Sequence, residues 1–425
     1  MRPTTQSWPP RPRLPGSPAR ALLIPTVLAG AAALSGCGDE PPALEAAGLA
    51  YTRSELLGLS EQRKILLGEL AGLGRAVATG GAEALADPLV ERAQLEYLAR
   101  VRRADVALDS AGVEDDVLEA RYRTDPDLEL TVRHLLVLSE RYETDATRAA
   151  ARTKAERALE RIRAGEPFPD VAAEVSEEPG AEGREGLLEP GREGSWVPEF
   201  WAAATALDPG EISDVVETQY GFHVLRLEAR DTVPFDEVRS RVALDVAELL
   251  GANLDPYAED RGPPIEVEAG LADLLADAST DASRAVARWD DGSMTVGELR
   301  RHLATLPDEA WRTTRDDPDA LRDEARRAAR LRRSARAAGD AGASTPPSVE
   351  AGVRRSWDDA LARWTYVFGF DEGMSHDALR VAALRALGAT GQGPGAARDE
   401  VHRRGPLVRL RYPVRMTETD GDGRP

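Results

Sequence analysis

The stretch TVRHLLV, residues 131–137, sets an imidazole inside a run that otherwise reads as a buried β-strand. A second stretch, YGFHVLRL at residues 220–227, repeats the pattern. Successive strand residues point to opposite faces. His134 therefore shares a face with Leu130, Val132, Leu136 and Leu138, and His223 shares one with Leu225 and Leu227. The chain has only five histidines in 425 residues, and two of them fall in phase with apolar side chains.

Between these strands the sequence reads as a compact alternation of short elements. Ala151, Ala155, Leu159 and Ile162 recur at helical spacing within 143–164, where Gly165 supplies a stop. A short helix follows at 167–175. Then comes EEPGAEGREGLLEPGREGS (177–195), whose glycines and acids predict a hairpin or mobile loop. A helix over 198–207, a turn at Asp208, Pro209 and Gly210, and strands at 212–218 and 222–229 complete the segment.

Helical periodicity dominates both flanks. Thr52 and Glu55 form a potential capping box, and Leu56, Leu66, Leu67 and Leu70 continue a helical pattern. A second helical region spans about 84–122 and ends near Thr124 and Pro126. Beyond Val233 helices resume. GSMTVGELRRHLATLP (292–307) echoes AYTRSELLGLS (50–60), with Thr295 and Glu298 in the places of Thr52 and Glu55, so helices flanking the central segment can pack together. The arginine-rich helix 319–338 either meets anionic lipid or pairs with acidic faces of the same protein, the second being the simpler reading. Residues 390–425 are rich in Gly, Arg and Asp and predict loose order.

The whole composition, 30% charged and 42% hydrophobic, fits a soluble helix-rich protein. A net charge of −20 excludes a binder of nucleic-acid backbones, which needs a positive surface. Arg2, Arg11, Arg13 and Arg20 precede ALLIPTVLAGAAALSGC (21–37), an apolar run of secretion-signal length interrupted by Pro25. Leu34, Ser35, Gly36 and Cys37 resemble a bacterial lipobox. Cys37 is the chain's single cysteine, so no internal disulfide competes for it. Lipidation there predicts an extracytoplasmic protein tethered to the cell envelope, with 38–48 as a short tether. His302, His376 and His402 lack metal-ligand spacing and read as ordinary residues. No Gly-x-Ser-x-Gly elbow accompanies the histidines, which argues against a hydrolase.

Residues 131–230 resemble the parvulin family of peptidyl-prolyl cis/trans isomerases. The resemblance rests on VRHLLV, FPDVAAEVSEEPG at 168–180, VPEF at 197–200, LDPGEIS at 207–213 and TQYGFHVLRL at 218–227, about a quarter of the chain. With helical flanks and a secretion signal, the whole further resembles the SurA and PrsA type of extracytoplasmic foldase. The fold implied is α+β: a small antiparallel sheet with surrounding helices, flanked by N- and C-terminal helical regions. Domains follow as 1–37 signal and lipobox, 38–126 helical and chaperone-like, 127–231 parvulin, 232–340 helical, and 341–425 a helical segment with a loose tail.

The resemblance also implies roles. His134 and His223 form a hydrogen-bonded pair beneath the active site, which makes two otherwise costly buried rings tolerable. Glu178 takes the position usually held by Asp or Cys just after the conserved serine, and Leu188, Trp196 and Phe200 form the proline-ring pocket. No cofactor and no metal is implied. Partners are unfolded secreted or envelope proteins with X–Pro bonds, and the membrane through the lipid. Three departures are visible: Glu178 is a methylene longer than Asp, Glu185 to Glu189 replace a glycine-rich turn, and Thr205 stands where an aromatic residue is common. The alternatives are a holdase that uses a degenerate parvulin domain to bind peptide, and a purely structural envelope lipoprotein.

Overall fold

The computed structural model describes residues 42–139, 144–259, 262–277, 279–388 and 392–416. The signal segment and Cys37 lie outside the described residues. Two compact units emerge, one of residues 125–234 and one that joins 39–124 to 235–425.

The larger unit begins with strands β1 (Pro42–Ala46) and β2 (Leu49–Thr52), where a tether was expected. Leu44, Leu49 and Tyr51 are fully buried, so this hairpin is held by its apolar side chains. The Thr52–Glu55 pair makes both capping bonds, 2.9 Å and 3.4 Å, but they close a turn. Gly58 adopts the left-handed conformation, and the helix itself, α1 (Glu61–Ala78), starts only after Ser60 caps it. The expected helical region 84–122 divides into α2 (Asp87–Ala111) and α3 (Asp115–Tyr122), because left-handed Gly112 ends the first.

The smaller unit carries strand β3 (Leu128–Leu138), helices α4 (Asp145–Arg163), α5 (Phe168–Val175) and the single turn α6 (Ala181–Arg184), strand β4 (Gly191–Arg192), helix α7 (Pro198–Ala206), and strands β5 (Val216–Thr218) and β6 (Gly221–Thr232). The four strands form an antiparallel sheet in the order β4-β3-β6-β5. Leu135, Val137, Phe222 and Val224 pack on one face with Ala155, Leu159 and Ile162 of α4 and Phe168 and Val171 of α5. Leu130, Val132, Leu225 and Leu227 pack on the other with Phe200 and Ala204 of α7. The period-two pattern thus sorts the strands' side chains as the sequence implies. Leu138, at the strand end, is 45% exposed. The segment 177–195 is ordered by α6 and by pairing with β3, rather than being a free loop.

The chain then returns to the larger unit. Helix α8 (Phe235–Leu249) packs Val242, Ala243 and Ala247 against Val101, Ala104 and Leu108 of α2 and Leu118 of α3. Strand β7 (Glu266–Val267), helix α9 (Leu271–Ala276), and strands β8 (Ala285–Trp289) and β9 (Gly292–Thr295) follow, the strands pairing as β7-β8-β9. At Thr295 the capping box is complete and opens α10 (Val296–Ala304). The echo of residues 50–60 is therefore local: both follow a strand, but only the second caps a helix directly.

Helices α11 (Asp308–Asp316) and α12 (Pro318–Asp340) come next. The basic helix α12 is paired within the protein: Arg332 reaches Glu91 and Glu298, Arg322 Asp319, and Arg326 Asp323. Helices α13 (Pro347–Phe368), α14 (His376–Gly388), α15 (Gln392–Arg403) and α16 (Gly405–Arg411) lead to strand β10 (Arg415–Met416), which pairs with β1. The expectation of a loose 390–425 is corrected for its described part. Val401, Leu407 and Val408 are buried in one core with Leu67, Leu70 and Trp364, which orders helices that composition alone left weak.

Candidate active site

Strand register places the two histidines. His134 lies opposite Leu225 and His223 opposite Leu136, so the rings are diagonal neighbours on one sheet face. Long or flat side chains reach across that diagonal. The rings are nearly parallel, with centroids 5.6 Å apart, and their Nδ1 atoms are 3.4 Å apart. Both side chains are buried.

Each ring finds its second partner at the edge of the sheet. Thr218 Oγ1 on β5 lies 2.8 Å from His223 Nε2, and Glu178 Oε2 lies 2.8 Å from His134 Nε2. Glu178 is brought there by Ser176, whose hydroxyl accepts from the amides of Leu136 (3.1 Å) and Glu178 (3.4 Å). Glu177 N donates to Leu136 O at 2.7 Å, which ties the end of α5 to β3. Arg184 Nη2 donates to the same Glu178 Oε2 at 2.8 Å.

The turn after α6 lies along β3. His134 N donates to Gly186 O at 2.8 Å and Leu188 N to Val132 O at 2.9 Å. Gly186 has φ 75°, and a Cβ on it would fall 2.3 Å from His134 O. Glycine is required here by both conformation and space. Glu185, at φ 53°, takes the left-handed region without being glycine.

Helix α7 supplies the apolar side. Pro198 occupies its first turn, where a missing N–H costs nothing. Phe200 stands roughly perpendicular to both imidazoles, with centroids 5.4 Å from His134 and 5.5 Å from His223. Trp196 packs on Phe200 at 5.1 Å, and its indole lies over Gly191, where a Cβ would meet the ring at 2.5 Å. Leu188 and Trp196 are half-buried and join the same cluster, while Phe200 is 3% exposed.

The charges are ordered. Burial, with the His134 ring as the second cause, pushes His223 down to about 3, so this ring is neutral at physiological pH. Burial alone would raise Glu178, but the hydrogen bond and charge of His134 and the Arg184 guanidinium outweigh it and hold the carboxyl below its usual range. An ionised carboxylate only accepts, so His134 carries hydrogen on Nε2. His134 Nε2–H therefore donates to Glu178 Oε2, and one hydrogen is shared between the two Nδ1 atoms.

The structure therefore brings His134, His223, Glu178, Leu188, Trp196 and Phe200 into one region, and the longer Glu178 side chain does reach His134. Sequence reasoning assigned no role to Thr218 or Arg184. Thr218 opens the quoted motif TQYGFHVLRL, and its place across a tight turn from a buried histidine was the available signal. The other histidines have separate partners: His302 lies 2.7 Å from Glu324, His402 2.9 Å from Glu69, and His376 3.4 Å from Arg75.

Residues 134–229 match the family described as Rotamase: PPIC-type PPIASE domain. This segment is a PPIC-type rotamase domain. The chain is 32% identical over 119 residues to Foldase protein PrsA 3 of Bacillus cereus, a match covering 28% of this chain and 38% of that protein. It is 31% identical over 192 residues to Chaperone SurA of Nitrosospira multiformis, 42% of each. It spans less than half the length of either relative. Among solved structures, PrsA of Bacillus anthracis is similar at 24% identity, covering 35% of this chain and 60% of that one with a TM-score of 0.24. The α+β architecture rests on the described sheet and helices, and the rotamase domain contains all six residues brought together at the site.

Proposed function

We propose that the protein is a peptidyl-prolyl cis/trans isomerase and folding chaperone for secreted or envelope proteins, tethered to the envelope through Cys37. One observation carries the enzymatic part: the Thr218–His223–His134–Glu178 chain lies under the Phe200 ring, in a domain of the rotamase family. The relatives named foldase and chaperone support the chaperone part and an extracytoplasmic location.

The chemistry asks little of covalent groups. Amide resonance imposes a barrier of roughly 18–20 kcal/mol on rotation, and uncatalysed X–Pro exchange takes tens to hundreds of seconds. Twisting the amide removes resonance and makes the carbonyl oxygen less negative. A pocket of Phe200, Trp196 and Leu188 that holds the pyrrolidine ring away from water favours this less polar state. An ionised Glu178 beside the carbonyl penalises the resonance-stabilised ground state more than the twisted one. The histidines hold Glu178 and Phe200 in register and need not exchange protons with substrate.

The test is refolding of a client whose rate is limited by an X–Pro bond. Acceleration proportional to protein concentration, lost in His134→Ala, supports the reading. Refolding unchanged by wild type overturns it. A second reading, a holdase without catalysis, is favoured by the near-complete cover of Phe200. It requires wild type and Phe200→Ala to suppress aggregation of an unfolded client equally while neither accelerates refolding.

A further inference from the structure

We infer that Arg184 is a positioning residue of this site: by sharing Glu178 Oε2 with His134, it turns the other carboxylate oxygen, Oε1, outward as the group that meets the substrate amide. The inference rests on the isomerase reading and adds to it a residue that acts through Glu178.

The geometry gives the two carboxylate oxygens different surroundings. Oε2 accepts from His134 Nε2 and from Arg184 Nη2, both at 2.8 Å. Among the described residues Oε1 accepts no hydrogen bond, yet it is not enclosed, since it is absent from the buried polar atoms left without a partner. The glutamate side chain is 8% exposed, and both of its hydrogen bonds among the described residues fall on Oε2. A carboxylate held by one donor alone swings about its terminal torsion, which is broad and two-fold. Two donors converging on one oxygen remove that freedom.

Arg184 is itself committed to the task. It sits at the end of the single turn α6, and Nη2 also reaches Pro179 O at 3.4 Å, so the guanidinium bridges the carboxylate and the backbone that follows it. Its Nε is buried without a partner. An orphaned buried donor costs roughly 1–3 kcal/mol, a penalty tolerated when the same side chain holds a charged hydrogen bond that matters more. The charged and titratable groups around Glu178 are His134 from β3, with His223 from β6 behind it, and Arg184 from α6. Arg184 is thus the fixed cation of the set, and burial, which alone would raise the carboxyl, is outweighed by His134 and Arg184, which leave it below its ordinary range.

The experiment compares wild type, Arg184→Ala, Arg184→Lys and Glu178→Gln in the full chain, measuring kcat/KM for an X–Pro peptide against pH. Loss of the cation is expected to lower kcat/KM about tenfold at neutral pH and to move the acid limb up by about one pH unit, the effect of a tenfold change in proton affinity. Lysine restores the acid limb, and Arg184→Ala adds nothing once Glu178 is Gln. An acid limb that Arg184→Ala leaves in place, or an equal loss in the Glu178→Gln background, overturns the inference. Carboxyl 13C titration of Glu178 in wild type and Arg184→Ala decides the point without activity. An upward shift there establishes the Arg184–Glu178 contact on which the positioning role depends even where wild type fails to isomerise, and coincident titration curves refute it.

Discussion

His134 Nε2 lies 2.8 Å from Glu178 Oε2, joining a central strand to a loop 44 positions away in the sequence. That one bond links the sheet interior to the segment that follows α5. It also exposes the domain to acid, because every group in the chain has a protonation state on which the next depends.

The first consequence is a pH dependence of stability. The folded-state pKa of His223 is about 3, against 6.5 for an ordinary histidine. The unfolded chain therefore binds a proton that the folded chain does not, and stability falls as pH drops from 6.5 toward 3. Glu178, held below its ordinary range, acts at lower pH, and comparison with His223→Gln between pH 7 and 5 separates this ring from the other titrating groups. Urea midpoints there are expected to fall by about 2 kcal/mol in free energy for wild type. They should change much less for His223→Gln, and equal slopes for the two proteins contradict the assignment.

Adjacent positions in the turn after α6 are expected to respond in opposite directions. Glu185 sits at φ 53°, so Glu185→Gly relieves a left-handed non-glycine residue and raises stability by up to about 1 kcal/mol. Gly186→Ala drives a methyl group into His134 O and costs roughly 2 kcal/mol or more. Thermal melts of the two variants check the pair; a destabilised Glu185→Gly counts against the backbone argument.

In the larger unit, Glu69 is fully buried on α1 and pairs with Arg409 and with His402. Burial pushes Arg409 down to about 10. Arg409→Ala leaves a buried carboxylate with one partner fewer and is expected to cost about 3–5 kcal/mol. Glu69→Gln combined with Arg409→Ala recovers part of that loss. Chemical denaturation of the single and double variants gives the coupling, and simple additivity of the two losses rules out the pairing as its source.

The fold of the smaller unit was legible because the two central strands place apolar side chains or histidines at every second position of one face, from Leu130 to Leu136 and from His223 to Leu227. The partners of the histidines were less so. Glu178 was found through the family resemblance, which places a site residue just after Ser176, whereas Thr218 and Arg184 act through bonds between elements that no local pattern encodes. Errors in the flanks have one cause. Pro42 to Ala46 and the helices after residue 391 have weak local propensity, and burial of Leu44, Val401 and Leu407 in a shared core orders them. The Thr52–Glu55 box shows the converse, a correct local signal that Gly58 prevents from becoming a helix.

The central claim is that Phe200 and the buried imidazoles form a working site for an X–Pro bond. Its most direct test is NMR exchange spectroscopy of a short X–Pro peptide, which reads cis-to-trans rates without a coupling protease. Wild type is expected to bring exchange from tens of seconds to well under a second at catalytic concentrations. Phe200→Ala, checked as folded, should reduce that acceleration at least tenfold. Exchange at the uncatalysed rate with wild type, or equal rates for both proteins, contradicts the account.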